Sequence, residues 1–232
     1  MRCLYQKRGV RMRLRTFVVV GIVVACASCV HDLPAQSPTV SLEAAIDLFF
    51  AAKPNESARM FDAIVKARPT REPELWQRGL ALYYANRFKD GREQFELHRT
   101  VNPNDIENPA WHFACVARQS DLEAARKQLL PVGEDGRVPL KEVIGFYRGT
   151  VDEDAVLAAA DAGPEAARRN QRCYAHLYLG LFYEATGSLE KAQEQMVLSA
   201  VNYSMDHYMG KVAQMHVQLR GWDVSQAQEK AE

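Results

Sequence analysis

The spacing of apolar residues constrains the fold of this chain more than any other feature of its sequence. From residue 41 almost to the end, apolar side chains recur three or four positions apart, and no long stretch alternates as a half-buried strand does. The prolines Pro69 and Pro103 lie 34 residues apart, and a fixed period of this length is typical of stacked helix pairs. The sequence therefore predicts an all-α solenoid of antiparallel helix pairs.

Two consecutive units of this length can be set out, over residues 38–71 and 72–105. In the second unit Gly79 falls where the two helices of a pair cross closely, and glycine leaves room for that crossing. Residues 179–192 are the clearest helix–turn–helix segment of this kind. They contain a Leu-Gly pair in the first helix, a glycine in the turn and a small residue at the start of the second helix. These features resemble the tetratricopeptide repeat, and the resemblance implies a tetratricopeptide-like α-solenoid.

The segments outside these units depart from the repeat but keep its helical character. Residues 111–118 and 120–125 predict a helix pair with a shortened turn. A second, shorter pair is predicted over 139–148 and 152–162, with Gly149 as its stop and Asp152 as an N-cap. Residues 205–220 predict a final helix, which we expect to cap the open end of the stack.

Several short strings in the helical part carry a more specific likeness. They are Leu75-Trp76-Gln77-Arg78-Gly79, Tyr83-Tyr84, Arg87-Phe88, Gln94-Phe95, Asn102-Pro103-Asn104-Asp105, Trp111-His112-Phe113, Ala125-Arg126, Arg137-Val138-Pro139 and Leu177-Tyr178-Leu179-Gly180. Together they resemble a small, poorly characterised tetratricopeptide-repeat family of bacteria and plant plastids. The resemblance covers most of residues 41–221, implies a helical-repeat fold and assigns no reaction.

The first 29 residues have the pattern of a secretory signal peptide. Basic residues precede an apolar run over 17–27, which is too short to cross a bilayer as a permanent helix. The run ends in Val23-Val24-Ala25-Cys26, which resembles a lipoprotein box, so Cys26 is the expected lipidation site and Cys29 the alternative. Cleavage at Ala25-Cys26-Ala27 is the competing interpretation and would release a periplasmic or secreted protein. Either way the sequence predicts export, in the lipoprotein case to the bacterial envelope with a lipid anchor in the membrane.

The rest of the chain divides into three parts. Residues 30–40 predict a flexible tether, 41–221 the helical repeat domain and 222–232 a disordered tail. The full chain has 29 basic and 29 acidic residues, and removal of the leader's six basic residues leaves 23 against 29. Such an acidic body, without clustered Lys and Arg, argues against nucleic acid as a partner.

In tetratricopeptide repeats the first helix of each pair faces a concave groove, which suits a peptide or a partner helix. The resemblance implies which residues of three units in this chain face the groove. The expected groove residues are Trp76, Leu80, Tyr83 and Tyr84, then Trp111, Cys115, Arg118 and Gln119, and last Tyr174, Leu177, Leu181 and Glu184. Aromatic and arginine side chains are typical of recognition surfaces, although aromatic residues at helical spacing also pack in cores.

Motifs of metal binding and catalysis are weak in this chain. His112-x-x-Cys115 and Cys173-x-x-His176 have ligand types that suit zinc, but about sixty residues separate them, and in the repeat register they face different sides. The chain has no G-x-S-x-G, no glycine-rich phosphate loop, no H-E-x-x-H and no dinucleotide fingerprint. We therefore expect no metal, no cofactor and no enzymatic activity.

These observations favour a protein-binding scaffold or adaptor that is anchored to the envelope membrane and recognises a protein or peptide partner through the groove. Two alternatives stay open. One is an enzyme with an unfamiliar helical active site that uses His112, Arg78 or Arg118. The other is a structural protein that self-associates through an open repeat end or the concave face.

Overall fold

Capping residues set the ends of several helices at positions that the sequence predicts. The side chain of Asp152 accepts a hydrogen bond from the backbone N–H of Ala155 at 2.9 Å, which confirms it as an N-cap. Gly149 has a φ of +85°, the left-handed conformation that ends a helix at no steric cost to glycine. The predicted stop at Gly149 is therefore also confirmed.

The computed structural model describes residues 40–225, which form one compact unit. The predicted signal peptide, the candidate lipidation sites Cys26 and Cys29, and the tether up to residue 39 lie outside the described residues. The predicted tail lies outside them from residue 226 onward. Among the helices of residues 40–225, none combines the length and the apolar character needed to cross a membrane.

Residues 40–225 form eleven α-helices and no strand, which confirms the all-α class. The helices are α1 Leu42–Phe50, α2 Pro54–Ala67, α3 Trp76–Tyr84, α4 Phe88–His98, α5 Glu107–Gln119, α6 Leu122–Lys127, α7 Leu140–Arg148, α8 Glu153–Asp161, α9 Glu165–Ala185, α10 Leu189–Val197 and α11 Tyr208–Arg220. A 3-10 helix, Pro69–Glu74, precedes α3, and a short π-helix, Leu198–Asn202, follows α10. All predicted helices occur, with α5 beginning four residues earlier than expected and α11 three residues later.

Helices that follow one another in the chain pack side by side, as α1 does with α2, α3 with α4 and α9 with α10. A Cβ atom on Gly79 of α3 would lie 2.5 Å from Cζ of Phe95 in α4. Only glycine allows the two helices to approach this closely, so the predicted crossing at Gly79 is confirmed. Gly180 has the same role in α9, because a Cβ atom added at this position would lie 3.1 Å from the backbone nitrogen of Met196 in α10.

The last helix, α11, contacts helices from both ends of the described chain, including α1 and α9. The ring of its first residue, Tyr208, packs edge-on against Trp76 of α3 at a centroid distance of 4.7 Å and against Phe50 of α1 at 4.8 Å. Further along α11, the His216 ring lies 5.4 Å from the ring of Tyr84 in α3. This helix therefore lies against the first helices of several pairs.

The distribution of apolar residues in α11 explains this position. Val212, Ala213, Met215 and Val217 are all buried, and these four positions do not share one face of a helix. On the remaining side of the helix Lys211, Gln214 and Gln218 are exposed, so α11 packs on its neighbours and leaves one side to solvent. Its placement at the open end of a stack stays a prediction.

Candidate functional site

The predicted groove residues lie mostly inside the protein. Eight of them are at most 3% exposed, namely Leu80, Tyr83, Tyr84, Trp111, Cys115, Leu177, Leu181 and Glu184. Trp76, Arg118 and Tyr174 are partly exposed, and Gln119 is exposed. These eight side chains offer almost no surface to a partner, partly because α11 packs against α3 and α9, although Trp111 also contributes to the wall of a cavity. The accessible part of the predicted surface is therefore limited to the other four residues.

Buried polar contacts hold α11 against residues that the sequence predicts in the groove. Glu184 of α9 accepts hydrogen bonds from the hydroxyl of Tyr83 at 2.8 Å and from Nε of Arg220 at 2.5 Å. The hydroxyl of Tyr84 is hydrogen-bonded to Nδ1 of His216 at 2.8 Å. Burial lowers the pKa of His216 to about 4, although Glu184 opposes this change, so the ring is neutral at pH 7. A segment of the same chain thus covers Tyr84 and Glu184, two of the predicted groove residues.

A cavity of about 280 Å³ is left beside the start of α11, and we call it the groove cavity. Helices α3, α4 and α5, the loop between α4 and α5 and the loop before α7 supply the rest of its wall. Its aromatic lining consists of Trp76, Phe95, Trp111 and Tyr208, and its polar lining includes Asn102, Asp105, Glu107, Asn108, Arg137 and His207. Trp76 and Trp111 are two of the residues that the sequence places in the groove.

Three carboxylates surround Arg137 at the edge of the groove cavity. Its Nη2 lies 2.8 Å from Oδ1 of Asp105 and 2.6 Å from Oδ2 of Asp135, and its Nη1 donates to Oε1 of Glu107. Its Nε donates to Asp135 as well. Burial lowers the pKa of Arg137, but the carboxylates raise it by more, so the guanidinium stays charged. The cluster therefore has an excess of negative charge when its acids are ionised.

Glu107 forms the most deeply buried acidic part of the cavity wall, with a side chain only 6% exposed. The hydroxyl of Tyr178 donates to its Oε2 at 2.5 Å, and Arg137 donates to its Oε1. Burial raises the pKa of Glu107 to about 7, against the opposing effects of Arg137 and Tyr178. Glu107 therefore changes its charge near neutral pH while both of its oxygens are held by protein groups.

Three buried polar atoms of the cavity wall have no hydrogen-bond partner within residues 40–225. They are Oδ1 of Asn108, Nε1 of Trp111 and the hydroxyl of Tyr208. The amide orientation of Asn108 is fixed, because its Nδ2 donates to the carbonyl of Phe95 at 2.9 Å. Buried polar groups in proteins nearly always have a partner. Three residues that line the cavity therefore have one acceptor, one donor and one hydroxyl without a partner in the described chain.

Five of the strings singled out in the sequence meet at the groove cavity. They contribute Trp76, Phe95, the turn residues Asn102 and Asp105, Trp111 and Arg137. In the sequence these strings are separate, and nothing in their spacing indicates that they surround one cavity. The helix pairs bring them together, since α3, α4 and α5 pack side by side.

Glu107, Asn108 and Tyr208 are site residues that sequence reasoning missed. Glu107 lies in the first turn of α5, where an acidic residue is expected from its interaction with the helix dipole, so it carried no functional signal. Tyr208 comes from the far end of the described chain, and only the packing of α11 places it beside Trp76. Their shared environment is a property of the tertiary structure.

The two His/Cys pairs of the sequence have separate contacts. Nε2 of His112 lies 3.2 Å from Glu96, and Nδ1 of His176 lies 2.6 Å from Oε1 of Gln195. Cys115 and Cys173 are buried and form no disulfide among the described residues. Over residues 40–225, the structure brings together no group of three or more His, Cys, Asp or Glu side chains that could hold a metal ion.

The two arginines of the enzymatic alternative also have separate partners. Arg78 forms ion pairs with Asp62 at 2.9 Å and with Glu72 at 3.0 Å. The guanidinium of Arg118 lies over the ring of Phe88, 4.8 Å from its centroid. Each arginine thus stabilises its own part of the helical packing.

Comparison with known families does not assign a role to the groove cavity. No protein-family model matches the chain. The chemistry of the cavity is therefore inferred from its own residues, which combine aromatic rings, an excess of acidic groups and three polar atoms that the described chain leaves without a partner.

Proposed function

We propose that this protein is a binding protein of the tetratricopeptide type that holds a segment of a partner protein at the groove cavity. The observation that carries the proposal is the cavity wall, where aromatic rings surround polar atoms that residues 40–225 leave without a partner. Ligand sites typically combine a mainly apolar lining with a few placed polar groups. Trp76 and Asn102 are accessible at this cavity, so a partner segment can enter there.

The repeat character of the fold supports this proposal. Neighbouring helices pack in chain order, and Gly79 and Gly180 lie at equivalent close crossings in two helix pairs. In a solenoid of this kind the first helices of the pairs present the binding face. Because α11 covers Tyr84 and Glu184 on that face, the proposed binding site is confined to the cavity at the start of α11.

The arrangement favours binding over catalysis. A catalytic acid or base must reach the proton that it transfers, but both oxygens of Glu107 already accept hydrogen bonds from Arg137 and Tyr178. The guanidinium of Arg137 is likewise directed at carboxylates of the protein. We therefore propose an adaptor or scaffold role without a reaction.

Site-specific photocrosslinking in cells that express the full chain tests the proposed binding site. A photoreactive amino acid at Asn102, which is exposed and lines the cavity, is expected to give protein adducts. The same amino acid at Glu190, which is exposed and outside the cavity lining, is the matched control. Trp76→Ala should reduce the Asn102 adducts by about fivefold or more, as expected for an interface aromatic residue.

Thermal unfolding of the Trp76→Ala variant accompanies this experiment, because Trp76 also packs against Tyr208 of α11. In a folded variant, Asn102 adducts that are insensitive to the substitution would contradict the proposal. Equal adduct yields from positions 102 and 190 in the unaltered chain would contradict it as well.

Export and lipid anchoring form a separate part of the proposal, which rests on the signal-like sequence that ends at Cys26. Metabolic labelling with a palmitate analogue is expected to mark the full chain. Cys26→Ala should abolish the label, and the matched control Cys29→Ala should retain it. Loss of the label only in Cys29→Ala would move the anchor to that residue, and an unlabelled wild-type chain would contradict an anchor.

A further inference from the structure

We infer that the groove cavity binds a primary ammonium group, carried by a lysine side chain, a peptide N-terminus or a free alkylamine. The inference rests on the proposed binding role of this cavity and adds the chemistry of its ligand. Charge, aromatic lining, hydrogen-bonding capacity and size each point to this group.

Charge is the first reason for a cationic ligand. Asp105, Glu107 and Asp135 all accept hydrogen bonds from the single guanidinium of Arg137. Because each nitrogen of Arg137 already donates to one of these carboxylates, the guanidinium has little capacity left for an anion. Asp135 lines a neighbouring cavity, so a cation in the groove cavity would be attracted by the two carboxyl groups that line it, those of Asp105 and Glu107.

Aromatic rings line the same cavity. Trp76 and Tyr208 meet at a centroid distance of 4.7 Å with an angle of 66° between their planes, and the rings of Trp111 and Phe95 also contribute to the wall. A cation within about 6 Å of an aromatic ring is attracted by the negative face of that ring. The alkyl stem of an amine can pack against these rings while its ammonium group faces the acids.

The polar atoms left without a partner in the described chain match a lysine-containing segment. An ammonium group has three donors and no acceptor, and Oδ1 of Asn108 and the hydroxyl oxygen of Tyr208 can each accept from it. Nε1 of Trp111 is a donor and suits a peptide carbonyl next to the amine-bearing side chain. We therefore expect a peptide lysine to bind more tightly than a simple alkylamine.

The size of the cavity limits the ligand to a side chain or a similarly small group. Its volume of about 280 Å³ is at the lower end of ligand pockets, which range from about 300 to 1,000 Å³. A nucleotide or a large cofactor would exceed this space. A single lysine-like chain fits the scale of the site.

Isothermal titration calorimetry on the detergent-solubilised full chain tests this inference. The probes are Nα-acetyl-lysine methylamide, its Nε-acetylated form, which has no charge, and n-butylammonium. The free lysine derivative is expected to bind about tenfold more tightly than the acetylated one, because the acetyl group removes the cation. Asp105→Asn should weaken that binding by about fivefold or more, since it removes one carboxylate from the wall.

Asp161→Asn is the matched control, because Asp161 is an exposed carboxylate that also pairs with an arginine, Arg172, and lies outside the cavity lining. It should leave the affinity unchanged. Equal affinity for both lysine derivatives, or unchanged affinity in a folded Asp105→Asn variant, overturns the inference. If n-butylammonium binds as tightly as the lysine derivative, the ammonium assignment holds and the source is a free amine.

The calorimetry and the crosslinking separate the two proposals. Crosslinks from position 102 that depend on Trp76, together with no binding of any amine, would overturn the ammonium inference and leave the proposed function standing. Amine binding that depends on Asp105, without such crosslinks, would overturn the partner-protein proposal and identify a small-molecule site.

Discussion

In the wild-type protein, Glu107 is expected to lower the free energy of unfolding as the pH rises from about 4.5 to about 7, and Glu107→Gln should abolish this decrease. Burial raises the pKa of Glu107 from 4.5 to about 7, while Arg137 and Tyr178 oppose this change and Asp105 adds to it. The native state therefore keeps a proton that the unfolded chain releases. The stabilisation that comes from the proton on native Glu107 is complete below pH 4.5 and is lost as the pH rises through 7. The difference between the native and unfolded pKa values of Glu107 sets its size at roughly 3 kcal/mol.

His216 has the opposite effect over nearly the same range of pH. Burial lowers its pKa from 6.5 to about 4, and Arg220 adds to this change while Glu184 opposes it. The unfolded chain therefore binds a proton that the native state excludes, so this contribution to stability is complete above pH 6.5 and is lost as the pH falls through 4. Its size is also roughly 3 kcal/mol. In the wild-type protein the two groups largely offset each other.

Urea unfolding of wild type, Glu107→Gln and His216→Gln at several values between pH 4 and pH 7.5 measures both effects. The free energy of unfolding of Glu107→Gln should rise with pH relative to wild type, and that of His216→Gln should fall. Glutamine retains hydrogen-bonding capacity at each site, so changes common to all pH values reflect packing rather than titration. Parallel profiles for the three proteins would contradict both assignments.

Glu184→Ala is expected to lower the free energy of unfolding by roughly 3 kcal/mol or more, because it removes the buried partner of a charged group. Burial raises the pKa of Glu184, but His216 in its charged form, Arg220 and the hydroxyl of Tyr83 lower it by more, so the carboxylate is ionised in the fold. At pH 7, where His216 is neutral, Arg220 and Tyr83 are the partners that stabilise this charge. Without it, Arg220 loses its ion pair and Tyr83 its acceptor. Chemical denaturation at pH 7 measures the change.

Glu74→Ala is the matched control for this substitution. Glu74 also pairs with an arginine, Arg71, but its side chain is 57% exposed. Exposed ion pairs contribute less than about 1 kcal/mol, because water screens the charges. If Glu184→Ala and Glu74→Ala lowered the free energy of unfolding equally, the prediction that the buried contacts of Glu184 stabilise the position of α11 would be wrong. We expect Glu184→Ala also to increase amide hydrogen exchange in α11, since its contacts with α3 and α9 would be weakened.

The helices and their ends could be predicted from the sequence because they depend on local interactions. Apolar spacing identifies a helix wherever one face must be buried, and Asp152 and Gly149 act within one turn of their own helices. The close crossing at Gly79 could also be predicted, because a glycine inside a predicted helix weakens that helix unless a neighbouring element needs the space. Trp76 and Trp111, which the repeat register places in the groove, do line the groove cavity.

The accessibility of the groove could not be predicted in this way. Whether Tyr83 and Glu184 face solvent depends on where α11 lies. Helix α10, the π-helix and a loop separate α11 from Glu184, many more elements separate it from Tyr83, and the sequence does not specify the path of these segments. The apolar residues on several sides of α11 could only indicate that it is buried, without saying against which helices. The pKa of Glu107 likewise depends on burial beneath residues that are distant in the chain.

The sequence by itself determined the all-helical class, most helix boundaries and the presence of Trp76 and Trp111 at the site, because these follow from the spacing of residues along the helices. The tertiary structure decided that α11 covers Tyr84 and Glu184 and that Trp76, Glu107, Arg137 and Tyr208 surround one cavity. The physical reason is that burial, desolvation and hydrogen-bond partnership are properties of contacts between distant segments. Such contacts are set by the packing of whole helices against one another.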